Sequence, residues 1–120
     1  MEVNSVSESC RFGIKLAPDF AEKTAQSCLN IPFFEAEKMA AKLKEIKPDC
    51  FYLKSVSTDI KRNGFLGPKY RTIKIQYETQ KPDNSVSKHL YGDAQENNNP
   101  FSAAEIFEVI KHVINKYTNA

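Results

Sequence analysis

Three stretches of alternating apolar and polar residues follow one another between Phe51 and Tyr91, separated by two turn signals. That succession constrains the fold more than any other feature of the chain. Strand side chains point alternately to two faces, so a period of two marks a strand with one buried face. Ile73, Ile75 and Tyr77 alternate with Thr72, Lys74, Gln76 and Glu78, which predicts a strand over 70–79. Val86, Lys88 and Leu90 alternate with Ser87, His89 and Tyr91, which predicts another over 86–91. Over 51–60 the pattern changes phase: Phe51 and Leu53 point one way, Tyr52, Val56 and Ile60 the other. An extra residue in a strand produces such a change, so a bulge or strong twist is expected near Ser55. Lys81-Pro82-Asp83-Asn84 supplies a turn, and residues 92–100, GDAQENNNP, read as a polar loop.

Helical spacing surrounds this β region. Cys10, Phe12, Ile14 and Leu16 alternate as a first strand, which Ala17-Pro18-Asp19 breaks. Asp19 and Glu22 have the spacing of a capping box, followed by Phe20, Thr24, Ala25 and Cys28 on one helical face as far as Asn30. A second helix is predicted from Phe33 to Ile46, with Ala36, Met39, Ala40, Leu43 and Ile46 as its buried stripe. Lys47-Pro48 stops it, because a proline pushes the preceding residue out of helical geometry. The last helix has the strongest signals. Ser102 and Glu105 form a capping box, and Phe101 and Ile106 a hydrophobic staple. Ile106, Val109, Ile110, Val113, Ile114 and Tyr117 then line one face. The predicted class is α+β: an antiparallel sheet of about four strands packed on helices, in the order β-α-α-β-β-β-α. The 120 residues fit a single domain spanning 1–120, with residues 1–8 frayed.

Most catalytic chemistry finds no foothold. The three cysteines, Cys10, Cys28 and Cys50, are odd in number and widely spaced, and no CxxC occurs. His89 and His112 lie far from them in sequence, so no metal or other cofactor is expected. Cys28 falls on the apolar face of a helix, and His112 sits between apolar helical positions as a partly buried or rim histidine. NGFLGP has neither the lysine spacing nor the strand-to-helix context of a phosphate loop. The stretch MEVNSVSESC lacks a basic segment followed by an apolar one, and no apolar run approaches the ~18 residues of a membrane span. A reduced, cytoplasmic setting without membrane association is the expectation.

The segment that stands out is KRNGFLGPKY, residues 61–70. Its glycines and proline mark a hairpin loop, and loops are normally polar. Here Phe65 and Leu66 occupy the tip, ringed by Lys61, Arg62, Lys69 and Tyr70. An aromatic anchor among cations and a tyrosine has the composition of an interface hot spot. The competing reading tucks Phe65 and Leu66 back over the open end of the core. Charge is also segregated. Lys38 to Lys74 contains ten basic and three acidic residues, a local +7, whereas Asp83 to Glu108 carries −4. Such a dipolar molecule steers charged partners.

Two resemblances bear on function. The order helix, three strands, helix over residues 33–117 resembles double-stranded RNA-binding domains, which place lysines at the start of the final helix. Here that helix begins FSAAEIFE, with no lysine before Lys111, which removes the main phosphate contact. In its small size, its Lys/Asn-rich composition and its lack of a secretion signal, the chain also resembles the small inhibitor that Legionella pairs with its ubiquitin deamidase and transglutaminase effectors. No single motif carries that likeness. It implies a regulator of a papain-like, ubiquitin-modifying enzyme, and delivery into a host cell if the chain is a bacterial effector. The expected function is non-enzymatic protein binding, with inhibition of a partner enzyme as its form. The alternatives are a nucleic-acid module with a basic β-hairpin, an enzyme with a Cys/His site assembled in space, and, for the last helix, a dimerisation face.

Overall fold

The computed structural model describes residues 14–46, 51–81 and 83–118. Its elements are β1 (Lys15–Leu16), α1 (Phe20–Ser27), α2 (Phe33–Lys44), β2 (Phe51–Arg62), β3 (Lys69–Gln80), β4 (Val86–Glu96) and α3 (Ala103–Thr118). This is the α+β class and the element order that the alternation and helical stripes predict. The start of the first strand at Cys10 and Phe12, residues 1–8, Lys47-Pro48, and the thiols of Cys10 and Cys50 lie outside the described residues.

The sheet has the order β1-β2-β3-β4. It is mixed, which corrects the antiparallel expectation. β2, β3 and β4 form an antiparallel meander, but β1 pairs with β2 in parallel, Lys15 beside Tyr52 and Leu16 beside Leu53. The physical reason is the connection. Tight turns reverse a chain, whereas α1 and α2 form a helical crossover that returns it to the same end of the sheet. The expected bulge is present: the β2–β3 register shifts between Leu53 and Ser55. The extra residue puts Phe51, Leu53, Val56 and Thr58 all on the buried face.

β4 continues to Glu96, through residues that read as loop in the sequence. Gly92-Asp93-Ala94-Gln95-Glu96 has turn-like composition and no apolar alternation. It is nevertheless drawn into register by β3, with Asp93 opposite Ile73 and Gln95 opposite Arg71. Tertiary pairing here overrides local preference.

The helices cover one face of the sheet. Phe20 and Cys28 of the α1 segment, Ala36, Met39 and Leu43 of α2, and Ile106, Ile110, Val113 and Ile114 of α3 join Val56, Ile73 and Ile75 in one core cluster. Beside it, Phe51, Tyr77 and His89 stack across three strands, with centroids 4.6 and 4.8 Å apart, and Tyr117 meets all three edge-on. The other sheet face carries no helix among the described residues. By alternation it presents Tyr52, Lys54, Lys61, Tyr70, Lys74, Lys88 and Leu90.

The helix ends differ from one another. At α3 the capping box is closed: Glu105 N–H donates to Ser102 Oγ at 3.2 Å, and Ser102 N–H donates to Glu105 Oε1 at 3.1 Å. At α1 the expected box does not form. Asp19 makes no side-chain cap and instead pairs with Lys23 at 3.2 Å. In α1 the Thr24 side chain is fully buried, and its hydroxyl has no hydrogen-bond partner among the described residues. A buried hydroxyl without a partner costs about 1–3 kcal/mol in desolvation, and an apolar group of the same shape removes that cost. Thr24→Val should therefore stabilise the fold by about 1 kcal/mol, read as a higher urea midpoint at unchanged slope. A lower midpoint would show that the hydroxyl has a partner.

Candidate functional site

The meander places the hairpin loop at one end of the sheet. The last buried side chains are Thr58 on β2 and Arg71 on β3. From Thr58 onward the strands pair through Asp59↔Thr72, Ile60↔Arg71, Lys61↔Tyr70 and Arg62↔Lys69. At ~3.3 Å per residue, this ribbon reaches on the order of 10 Å past the core.

The loop is fixed by its own backbone. Asn63 N–H donates to the Pro68 carbonyl at 3.1 Å, closing the ladder. Gly64 has φ +80, a left-handed conformation that side chains disfavour. Gly67 is required for a different reason: a Cβ there would collide with the backbone carbonyl of Asn63. Arg62 Nη1 donates to the Phe65 carbonyl at 3.3 Å, so the guanidinium braces the tip. Phe65 and Leu66 do not fold back over the core. They are 90% and 87% exposed, the two most exposed large apolar side chains among the described residues. Of the alternatives open to the sequence, the structure takes the outward one.

The six predicted residues are together at this end, on more than one surface. Lys61 and Tyr70 lie opposite each other on the uncovered sheet face, and Arg62 and Lys69 face the other way. Phe65 and Leu66 stand between them at the tip. The wider basic segment is not one patch. Lys38, Lys42 and Lys44 belong to α2 in the helical layer, whereas Lys54 and Lys74 are on the opposite side of the sheet. Arg71 is buried and paired with Glu105.

The groups considered for catalysis are dispersed. Burial pushes the Cys28 thiol up to about 11, with hydrogen bonding at Thr58 drawing it only part of the way back. That thiol donates to the Val56 carbonyl at 3.5 Å. His89 stacks on Tyr77, and its Nε2 lies 3.0 Å from Thr79 Oγ1. His112 is exposed, where its apolar neighbours suggested a partly buried or rim position. No cluster of three or more His, Cys, Asp or Glu suited to a metal ion occurs among the described residues. No helix among them is long and apolar enough to cross a membrane.

Other exposed apolar groups escaped the sequence reading. Phe33 and Phe34 open α2 at 49% and 58% exposure, and Lys38 lies over the Phe34 ring at 5.8 Å. Their signal was two aromatics in the first turn of a helix whose buried stripe begins at Ala36. Leu29 is exposed nearby in sequence, with its N–H bonded to Thr58 Oγ1 at 3.0 Å. Comparison with family models, with curated proteins and with solved structures yields no match.

Proposed function

We propose that this protein is a non-enzymatic binding module that docks the β2–β3 hairpin tip into another protein, as an inhibitor or regulator of a partner enzyme. The observation that carries the reading is the exposure of Phe65 and Leu66 on a tip held by Gly64, Gly67 and the Arg62–Phe65 hydrogen bond. Exposing two large apolar side chains at a loop tip has no folding rationale, and a pre-ordered loop loses little entropy on binding. Each side chain gains about 1.5–3 kcal/mol when fully buried. Lys61 and Lys69 supply positive charge around the anchor, which suits an acidic rim on the partner. A papain-like, ubiquitin-modifying enzyme is the partner that the resemblance to the Legionella inhibitor suggests.

Phe65→Ala tests this. Stability should be nearly unchanged, because the side chain makes little contact with the core. Capture of the partner from source lysate should fall, and affinity for the isolated partner should weaken by about 2 kcal/mol or more, as for hot-spot aromatics. Lys61→Glu or Lys69→Glu should instead slow association and alter its salt dependence. A destabilised Phe65→Ala variant with unchanged affinity would retire the interface.

A nucleic-acid reading is favoured by one observation, the sharing of the uncovered sheet face by Tyr52, Tyr70, Lys54, Lys61, Lys74 and Lys88. Asp59, Glu78 and Glu96 share that face, however, and Glu78 lies 3.8 Å from Lys54. Binding to RNA or DNA should therefore be no tighter than non-specific, about 10⁻⁴–10⁻⁶ M at physiological salt. Sub-micromolar binding there, abolished by Lys61→Glu with Arg62→Glu, would replace the protein-binding reading.

A further inference from the structure

We propose that β4 is a dimerisation edge, where a second copy of this chain adds its own β4 antiparallel about a two-fold axis at Gly92. Among the described residues β4 ends the sheet, with β3 on one side only. Asn97 N–H donates to the Lys69 carbonyl at 3.0 Å, which sets the phase of the ladder. The pairs Gln95↔Arg71, Asp93↔Ile73 and Tyr91↔Ile75 continue it. The odd-numbered residues of β4 thus give their backbone groups to β3. Those of Val86, Lys88, Leu90, Gly92, Ala94 and Glu96 face away.

This edge is long and regular. Bare edges are templates for further strands, and proteins blunt them with short length, charge or bulges. β4 has 11 residues, regular pairing and outward-facing Val86 and Leu90, 56% and 64% exposed. A groove lined by Leu90, Tyr91, Lys116 and Tyr117 separates it from the end of α3. Ala94 N–H has a local partner, Asp93 Oδ1 at 2.9 Å. That contact is exposed, and an arriving carbonyl exchanges with it.

Charge selects the occupant and the register. With the two-fold axis at Gly92, Lys88 lies opposite Glu96 of the second copy, and Glu96 opposite Lys88. Leu90 lies opposite Ala94, and Gly92 opposite itself. With the axis at Leu90, Lys88 meets Gly92; with the axis at Tyr91, it meets Ala94. Only the Gly92 axis pairs both charges, and opposite charges facing across strands stabilise a sheet whereas like charges destabilise it. Gly92 itself has no reason within the protomer. Its φ is not left-handed, and an added Cβ would meet only the Ile73 carbonyl oxygen at 4.0 Å, an ordinary contact. Glycine inside a strand often marks the close approach of another backbone. The resulting eight-stranded sheet would carry one hairpin tip at each end.

Sedimentation velocity over a micromolar-to-millimolar series at low salt tests this, with circular dichroism to confirm folding. The wild type should associate to a dimer. Lys88→Glu and Glu96→Lys should each weaken it about tenfold, and the double reversal should restore it. Gly92→Cys should oxidise to a disulfide joining the two substituted positions, because Cα atoms about 5.5 Å apart suit that bond. Phe65→Ala should leave the dimer intact. Monomer throughout the series, a dimer indifferent to both charge reversals, or a dimer lost in Phe65→Ala would each overturn the proposal.

Discussion

Ile110→Ala should destabilise the protein by about 2–5 kcal/mol, the range for truncating a fully buried isoleucine. Ile110 has no exposed surface and lies in the core with Ile106, Val113 and Ile114. The cost has two parts: the lost transfer free energy of the removed carbons and the cavity they leave. In a domain whose total stability is about 5–15 kcal/mol, that is a large share. Thermal unfolding should shift down by roughly 10 °C or more. Ile110→Val should cost about 0.5–1.5 kcal/mol, and Val109→Ala, at a half-buried position on the same helix, less than Ile110→Ala. A change below ~0.5 kcal/mol for Ile110→Ala, the range of ordinary surface substitutions, would mean that α3 is an appendage. Its apolar face would then be a partner or dimer surface.

What could be read in advance follows the range of each cause. Ser102 and Glu105 are three residues apart, so the α3 cap depends on nothing distant and formed as its spacing predicted. The phase change after Leu53 is equally local, and the bulge lies there. The direction of β1 was not legible, because it depends on how α1 and α2 return the chain. The extension of β4 was hidden for a similar reason: residues 92–96 have no strand signal of their own and are held by β3. Asp19 shows the limit of a local motif, since its carboxylate took Lys23 in place of the helix N–H groups. At the candidate site the six residues were identifiable from KRNGFLGPKY, and the glycines explain the loop. Whether Phe65 and Leu66 turn outward was not, because that depends on where the core ends. The uncovered sheet face likewise became visible only when the helices were placed.

Arg71 adds a polar tie between the sheet and α3 to their shared apolar core, and its replacement should also destabilise the protein. It stands two residues before Ile73, on the buried side of β3, and is 8% exposed. A guanidinium there needs partners, since burying an unpaired charge is costly. It donates to Glu105 through Nη1 at 3.0 Å and Nη2 at 2.8 Å, and to Gln95 Oε1 through Nε at 3.1 Å. Its Cζ lies over the Phe101 ring, 4.1 Å from the centroid. Arg71→Ala removes packing as well as charge. The cost should be about 2–3 kcal/mol, below that of breaking a fully buried pair, because Glu105 is 44% exposed and can turn to water. Arg71→Met should recover much of the packing, so the difference between the two separates stacking from pairing. Acid titration gives an independent check. The Arg71 hydrogen bond, followed by the Ser102 N–H, holds the Glu105 carboxyl below its ordinary range. A carboxyl with a lowered folded pKa contributes stability above its unfolded pKa, about 4.3, and loses it as the pH falls through the folded value. The wild type should therefore lose this contribution below about pH 4, and Arg71→Met should flatten that limb. An equally steep acid limb in Arg71→Met would assign the loss to other carboxylates and leave Arg71 with a packing role alone.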